Sequence, residues 1–245
     1  MKKIILIFLL WFLNPLIINI VWSQDTTSTK GIKVTYTFLS QKTDFLGEPF
    51  IYQFDTYLYI NDTMSQFIFD RKPIQRRIGN YRISIGKYKY INNFYFDSQM
   101  IEEQRELEDG SLLKAQWPLD YEWEITNDTK TIKGIKVRKA ITQSIEIDPN
   151  EDTYYGKVIA WFAEDIPIPS GPLRYYGLPG LILEIEYENS IKKATLKSIE
   201  FDTEINMKDI SEGAKLDDKR DIIYYYHFNP QKVKKALKNY QKEKK

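Results

Sequence analysis

The sequence predicts a mainly β protein, in which a curved antiparallel sheet or half-barrel carries a short C-terminal helix. Apolar side chains recur at every second position over most of the chain, which is the period of a half-buried strand. The 18 Tyr and 13 Phe suit the pleated surface of a sheet. Turn signals separate the alternating stretches at hairpin spacing, and this spacing favours antiparallel pairing over βαβ units.

The predicted strands follow one another from residue 32 onward. They are 32–38, 50–60, one that starts at 67–69, 81–85, 88–96, 121–126, 135–147, 154–162, 181–187 and 194–201. Asn61-Asp62 and Asn127-Asp128 are pairs typical of turns, and each is expected to end the strand before it. Residues 100–107 fit either a strand or a helical turn. No helical period of useful length occurs before residue 225, and no internal repeat or second domain is indicated.

A single helix is predicted over residues 230–242. Asn229-Pro230 supplies a favoured N-cap followed by a residue that suits the first helical position. Val233, Leu237 and Tyr240 lie at i, i+4 and i+7 and form one apolar face. We interpret the lysines of this helix as a solvated surface rather than a membrane-binding one, because the charge of the whole chain is nearly balanced.

The N-terminus has the three parts of a cleavable signal peptide. Lys2 and Lys3 supply the positive charge, residues 4–13 form an apolar run, and Val21 and Ser23 suit the −3 and −1 positions of a signal-peptidase site. An Asn-Pro pair interrupts the apolar stretch, so neither half approaches the ~20 apolar residues that span a bilayer. We therefore expect an exported protein, periplasmic or extracellular, with no membrane span after cleavage.

These signals divide the chain into a signal peptide (1–23), a disordered polar leader (24–30) and one β-rich domain (31–245). Charge is nearly balanced, with 35 Lys and Arg against 34 Asp and Glu. Such a balance creates no field that attracts nucleic acid, so no nucleic-acid partner is expected. The chain has no Cys, and its stability therefore depends on burial rather than on disulfides.

The sequence lacks the residues that most enzyme mechanisms require. With no Cys and a single His, the chain excludes a Cys nucleophile and the usual tetrahedral zinc site, and neither a metal nor another cofactor is expected. A Ser-His-acid triad would need His227, which lies in an aromatic stretch, and no G-x-S-x-G motif is present to supply the Ser. Two carboxylates suffice for glycan hydrolysis, but nothing in the spacing selects a pair among 34 acidic residues.

Residues 161–182 differ from the rest of the chain, because four Pro and three Gly fall between two predicted strands. This composition is typical of a rigid structural cross-over or of a binding loop, and both alternatives remain open. As a binding loop the segment would contact a partner through large side chains of the kind that dominate binding hot spots. These side chains are Trp161, Phe162, Arg174, Tyr175 and Tyr176.

The end of this segment predicts a tight turn with a structural role. Pro179 fixes φ at the second position of a type II turn, and Gly180 is expected to take a positive φ at the third. Leu178, Leu181 and Ile182 would anchor the turn in the core. The complete motif is Gly177, Leu178, Pro179, Gly180, Leu181 and Ile182.

Several further matches accompany this motif within residues 121–187. They are Trp123-Glu124-Ile125, the stretch 129–134, Lys139-Ala140, Ala160-Trp161-Phe162, Ile166-Pro167 and Gly171-Pro172. Together they resemble the GLPGLI family, exported proteins of bacteria with two membranes. Val137 departs from the pattern, since many members have a Cys at that position. The resemblance implies no particular activity, only a periplasmic accessory role beside outer-membrane transport receptors.

The leading hypothesis is therefore a non-catalytic periplasmic module that binds a peptide, a lipid or an envelope-protein partner such as an outer-membrane receptor. It would act as an accessory to outer-membrane transport. The alternatives are a carboxylate-based hydrolase that acts on a glycan, and a purely structural envelope protein. A half-barrel resembles lipoprotein carriers, but such a likeness is an analogy of shape and does not establish a function.

Overall fold

The computed structural model describes residues 29–43, 49–78, 81–147, 153–188, 190–223 and 230–243. Over these residues the mainly β class is confirmed, with one large open sheet and a short C-terminal helix. The strands are β1 (Thr29–Thr43), β2 (Pro49–Ile60), β3 (Met64–Arg71), β4 (Ile74–Ile78), β5 (Tyr81–Ile85), β6 (Tyr88–Tyr95), β7 (Met100–Glu106), β8 (Leu112–Pro118), β9 (Glu124–Ile132), β10 (Ile135–Ile147), β11 (Thr153–Ala163), β12 (Leu181–Tyr187), β13 (Lys193–Ile205) and β14 (Ala214–Leu216). The helices are α1 (Lys219–Ile223) and α2 (Pro230–Glu243).

Twelve of these strands form one sheet in the order β14-β8-β7-β6-β3-β2-β1-β13-β12-β11-β10-β9. Neighbouring strands pair antiparallel, except that β14 runs parallel to β8. The hairpin of β4 and β5 stands apart as a second, two-stranded sheet. Within the described residues, β9 and the three-residue β14 are the two edges of the large sheet.

One face of the sheet, which we call the inner face, carries the main core. Strand pairing places buried side chains side by side there, with Ala140 opposite Ala160. In the same way Ala194 lies opposite both Ile185 and Phe38. Because side chains alternate along a strand, the residues between these positions point to the opposite, outer face.

Residues 164–180, which we call the crossing segment, run from β11 across the inner face to β12. Side-chain hydrogen bonds join this segment to distant strands of the sheet. The hydroxyls of Ser170 and Ser65 (β3) lie 2.8 Å apart, and the Asn92 amide (β6) donates to the carbonyl oxygen of Leu173 at 2.8 Å. The crossing segment therefore covers the inner face and connects strands that are far apart in the sheet order.

Several elements differ from the sequence predictions. Residues 100–107, which fitted either a strand or a helical turn, contain β7. Sequence reasoning missed β4, β8, β14 and α1. β8 does alternate and buries Leu113, Ala115 and Trp117, but the intervening Lys and Gln make its apolar signal weak. β14 and α1 are too short to show a period.

The predicted strand 121–126 is right only from Glu124, where β9 begins, and the predicted turn at Asn127-Asp128 is wrong. β9 continues through these two residues, and the chain reverses at Lys133-Gly134, where both residues have positive φ. Asn127-Asp128 lies instead in a β-bulge that shifts the register opposite residues 138–140 of β10. Short polar residues are common where a strand leaves regular pairing, so the sequence signal marked an irregularity but not its kind.

The predicted C-terminal helix is confirmed as α2. Val233 is buried against β8 and β14, and Leu237 and Tyr240 are half-buried on the same apolar face. The Tyr240 hydroxyl accepts a hydrogen bond from the backbone N–H of Gly213 at 3.1 Å. These contacts hold the helix on the β14 edge of the sheet.

Some predictions fall outside the described residues. They concern the signal peptide (1–23), residues 24–28 of the leader, the N-cap Asn229 and His227. β1 begins at Thr29, so the last two residues of the predicted leader belong to the sheet. Among the residues that are described, no helix is long and apolar enough to cross a membrane.

Candidate functional site

A buried ion cluster fixes the crossing segment to β7. Arg174 binds Glu103 at two points, with 2.5 Å between Nε and Oε2 and 2.9 Å between Nη2 and Oε1. Arg105 donates to the same carboxylate from Nη2 at 2.8 Å. Burial acts to raise the pKa of Glu103, but Arg174 and Arg105 outweigh burial and hold this pKa below its ordinary value. Bidentate pairs restrict geometry strongly, so Arg174 holds the segment in place.

Tyr175 and Tyr176 of the crossing segment also face the interior. Tyr176 is fully buried and stacks on Phe94 of β6, with ring centroids 4.8 Å apart. Tyr175 lies among other aromatic rings, and its centroid is 5.2 Å from that of Tyr121. The indole N–H of Trp123 donates to the carbonyl oxygen of Tyr176 at 2.9 Å. The segment is thus packed through both its side chains and its backbone.

The five residues predicted to form a binding loop are divided between the two faces of the sheet. Phe162, Tyr175 and Tyr176 are buried on the inner face, and Arg174 is mostly buried beside them. Trp161 points to the outer face, because adjacent residues of a strand alternate. The structure does not bring the five together on an exposed surface. Their positions favour the structural alternative for this segment.

The turn at the end of the segment differs from the predicted type II turn. Gly180 does not have a positive φ, whereas Gly177 does, at 88°. Gly180 is required for another reason, since a Cβ atom there would lie 2.1 Å from the carbonyl oxygen of Ala163. Leu178 and Leu181 are buried, so the motif anchors the end of the segment in the core. The turn prediction failed because a close backbone approach also demands glycine.

Trp161 belongs to a charged cluster on the outer face. It lies opposite Glu184 of β12, and the Lys130 ammonium is 4.1 Å from its ring centroid, within the range of a cation–π contact. Lys130 also binds Glu184 Oε1 at 2.5 Å, and the Thr195 hydroxyl donates to Glu184 Oε2 at 2.7 Å. Glu186, two residues further along β12, lies 3.6 Å from the same ammonium.

The pKa values of the two carboxyls in this cluster move in opposite directions. Burial acts to raise the pKa of Glu184, but hydrogen bonds involving Glu186, Lys130 and Thr195 outweigh burial and lower it to about 2. The hydrogen bond with Glu184 raises the pKa of Glu186 above its usual 4.5. Pairs separated in this way occur in acid–base catalysis and also in structural ion-pair networks.

A groove of about 530 Å³ opens at one end of the inner face. Its apolar walls include Ile32 of β1, Ile60 of β2 and Ile168 of the crossing segment, and Phe201 of β13 stands beside them with 57% of its surface exposed. Phe201 is the one aromatic among the large apolar side chains exposed in the described part of the chain. The volume lies in the range of ligand pockets. Charged residues at the rim are Lys30, Asp62 and Asp202.

β13 contributes Phe201 and Asp202 to this groove and has an unpaired edge on the side that faces away from β1. β12 pairs with β13 only at residues 193–195, whereas β1 pairs with β13 as far as Ile205. Across the described ranges, no strand and no backbone hydrogen bond occupies the β12 side of residues 196–205. A β-bulge at Phe201-Asp202, where Asp202 has φ 52°, re-aims the Phe201 side chain, which lines the groove.

A second groove, of about 570 Å³, separates α2 from β14 and has a basic lining. Two of its lysines are already engaged, because Lys232 binds Asp221 at 2.6 Å and Lys114 donates to the carbonyl oxygen of Ser211. The others, Lys215 and Lys235, are exposed. This groove offers flexible charges but no aromatic anchor comparable with Phe201.

Sequence reasoning missed both the Phe201 groove and the carboxylate pair. Phe201 lies in the predicted strand 194–201 and counts there as one more apolar position, since nothing in the sequence marks the bulge. Glu184 and Glu186 share a face because they are two residues apart, and that spacing was visible. It could not single them out among 34 acidic residues, because their partners Lys130 and Thr195 come from other strands.

Comparison with known proteins gives a short family match and a likeness of fold. A family model for a "Protein of unknown function (Porph_ging)" matches residues 146–184. No curated protein matches the chain. Two crystal forms of PNGF-II are similar in structure: the P21 form with 15% identity and a TM-score of 0.52, and the C2 form with 16% and 0.51. The matches cover 85% and 81% of this chain but only 34% and 32% of those chains, so this chain spans about a third of their length. At these identities the likeness shows the fold alone.

Proposed function

We propose that this chain is an exported, non-catalytic binding module that holds an extended peptide segment of a partner along the free edge of β13. The proposal is carried by one observation, that the unpaired stretch 196–205 of β13 contributes Phe201 and Asp202 to the lining of the groove. An unpaired strand edge offers alternate N–H donors and C=O acceptors to an incoming strand. The groove accepts an apolar side chain of that strand, and this contact supplies selectivity that backbone pairing lacks.

The filling of the inner face favours a peptide over a lipid. A lipid carrier needs a continuous apolar cavity for its acyl chains. Here the crossing segment packs Tyr176 and Leu178 onto the inner face, and neither is more than 1% exposed. The Phe201 groove is short, open and rimmed by charges, which suits a single side chain and a polar backbone.

The signal-like N-terminus and the resemblance of residues 121–187 to the GLPGLI family support a periplasmic location. The partner would then be an envelope protein such as an outer-membrane receptor. The intact mass of the exported protein tests this location. We expect a chain that begins at Gln24 or within a few residues of it, and a mature form that retains residues 1–13 would contradict export by cleavage.

Selection from a displayed library of random peptides tests the binding proposal. We expect wild-type protein to enrich peptides with apolar residues at every second position, and Phe201→Asp to lose them. Ile51→Asp is the matched control, because Ile51 is 63% exposed on β2 and does not line the groove. Both variants replace an exposed side chain and should melt like the wild type. Peptides that bind all three proteins equally, or no enrichment on the wild type, would contradict the proposal.

The outer-face carboxylates favour a second candidate function, hydrolysis of a glycan. Glu186, which holds its proton more readily, has the character of a general acid, and the ionised Glu184 that of a base or nucleophile. Lys130 and Thr195 engage both oxygens of Glu184, however, and this engagement favours an ion-pair network. Glycan turnover that is lost in Glu186→Gln but kept in Glu188→Gln would support hydrolysis. Absence of turnover over a broad glycan panel would contradict it.

A further inference from the structure

Arg71, the last residue of β3, is a buried cation that pairs with no carboxylate of the described residues. Its residue surface is 9% exposed, and among the described residues no carboxylate oxygen lies within 4 Å of its guanidinium. Within the described ranges its one hydrogen bond runs from Nη2 to the carbonyl oxygen of Gly86 at 2.7 Å, and its buried Nε–H meets no acceptor there. Buried charges are normally paired, so this arrangement requires an explanation.

Two tyrosine rings hold the Arg71 side chain in place. Its guanidinium carbon lies 5.7 Å from the ring centroid of Tyr52 on β2 and 5.7 Å from that of Tyr88 on β6. Tyr88 is directly opposite Arg71 in the sheet, so both side chains rise from the same face. The rings restrict the guanidinium while its Nε–H stays without an acceptor, which is a pre-organised arrangement.

Two further guanidinium groups lie near Arg71, on the same aromatic rings or their neighbours. Arg105 lies 5.1 Å from the same Tyr88 ring, and Arg174 lies 4.2 Å from the neighbouring ring of Tyr90. Glu103 is the carboxylate that binds Arg105 and Arg174, and it does not bind Arg71. Among the described residues, Arg105 and Arg174 thus share one carboxylate in this region, and Arg71 binds none.

The other acidic groups described near Arg71 do not form an ion pair with it. Glu106 binds Lys87 and Lys89, and Asp70 binds Lys72. Both residues adjoin inner-face positions in their strands and so point to the outer face. Glu108 is exposed and lies beside Gly86 without reaching Arg71 within ion-pair distance. The described residues thus leave the charge of Arg71 uncompensated.

We propose that Arg71 is the centre of an oxyanion-binding site, in which a carboxylate or phosphate group of a ligand accepts hydrogen bonds from the Nε and Nη2 edge of the guanidinium. Arginine presents these N–H groups as a planar fork that matches both kinds of oxyanion. Tyr52 and Tyr88 flank the ligand group. The site lies at the end of β3 and is independent of the peptide groove at Phe201.

Titration with simple anions tests the site. Wild type, Arg71→Met, Arg71→Lys and Arg138→Met are compared in sodium chloride, sodium phosphate and sodium acetate at equal ionic strength and pH 7. Arg138 is the control because it is a partly exposed arginine that pairs with Glu164 elsewhere. Melting temperature reports stabilisation by the anion, and calorimetric titration reports affinity. The phosphate and acetate arms distinguish a phosphate ligand from a carboxylate ligand.

We expect phosphate or acetate to raise the melting temperature of the wild type and of Arg138→Met by several degrees over chloride. Arg71→Met should show no such rise, and Arg71→Lys should bind about tenfold more weakly because it keeps the charge but loses the fork. If Arg71→Met does not fold, the anion response of Arg71→Lys is compared with that of the wild type, and this comparison tests the proposal. Equal responses of the wild type and the Arg71 variants, including no response in any of them, would overturn the proposal.

Discussion

The guanidinium of Arg174 and the carboxylate of Glu103 form a two-point ion pair between residues 71 positions apart in the sequence. Glu103 is fully buried, and 17% of the Arg174 side chain remains exposed. The pair joins the crossing segment, which leads from β11 to β12, to β7 on the other side of the sheet order. The segment that looked most like a binding loop is therefore held in the core of the fold.

This pair predicts a large loss of stability in Arg174→Met. Removal of one partner of a buried ion pair costs ~3–5 kcal/mol, and we expect the lower end because Arg105 still binds Glu103. Arg138→Met, which breaks the exposed pair with Glu164, should cost only ~0–1 kcal/mol. Urea denaturation of both variants measures the difference. An Arg174→Met protein as stable as Arg138→Met would show that the segment is not held by this pair.

Two glycines, Gly180 at the end of the crossing segment and Gly134 in the β9–β10 turn, predict an order of stabilities. Gly180→Ala places a Cβ atom against the backbone of Ala163, so the strand or the turn has to move. Gly134→Ala meets no atom within 4 Å and bears only the cost of its positive φ, ~1–2 kcal/mol. We expect Gly180→Ala to lose clearly more stability than Gly134→Ala. The reverse order in thermal denaturation would refute the close approach of residues 163 and 180.

Glu184 predicts a loss of stability in acid. Its pKa is about 2 in the folded protein against an ordinary 4.5, so its ionised form stabilises the fold above pH 4.5. This contribution is lost as the pH falls from 4.5 towards 2. Glu184→Gln should be less stable than the wild type at pH 7, and the two should converge in acid. Denaturation at several pH values measures this, and a constant difference between them would argue against the shifted pKa.

The contribution of Glu186 to stability depends on pH in the opposite direction. Its pKa is raised in the folded protein, so its protonated form contributes stability below pH 4.5, and this contribution is lost as the pH rises through the raised value. Glu186→Gln does not titrate, and its amide retains an N–H donor in place of the protonated carboxyl. We expect Glu186→Gln to equal or exceed the wild type in stability at pH 7, where Glu184→Gln falls below it. Destabilisation of Glu186→Gln at pH 7 would contradict the assignment.

The strands with strict alternation were predictable, because their signal is local. The bounds of β10 (135–147) and β12 (181–187) match the predicted stretches, and α2 differs by one residue at its end. The crossing segment was not predictable in its role, because Arg174 finds its partner Glu103 through the sheet order rather than through sequence spacing. The bulge at Phe201-Asp202 could not be predicted for the same reason, since bulges depend on the register of two strands.

Backbone hydrogen exchange of β13, with and without a library-selected peptide, tests the central claim most directly. The claim is that residues 196–205 form the binding edge and that the crossing segment, residues 164–180, is structural. We predict that the peptide slows exchange of alternate amides within residues 196–205 and leaves the crossing segment unchanged, and that Phe201→Asp abolishes the effect. Protection of residues 164–180 in place of β13 would contradict the claim.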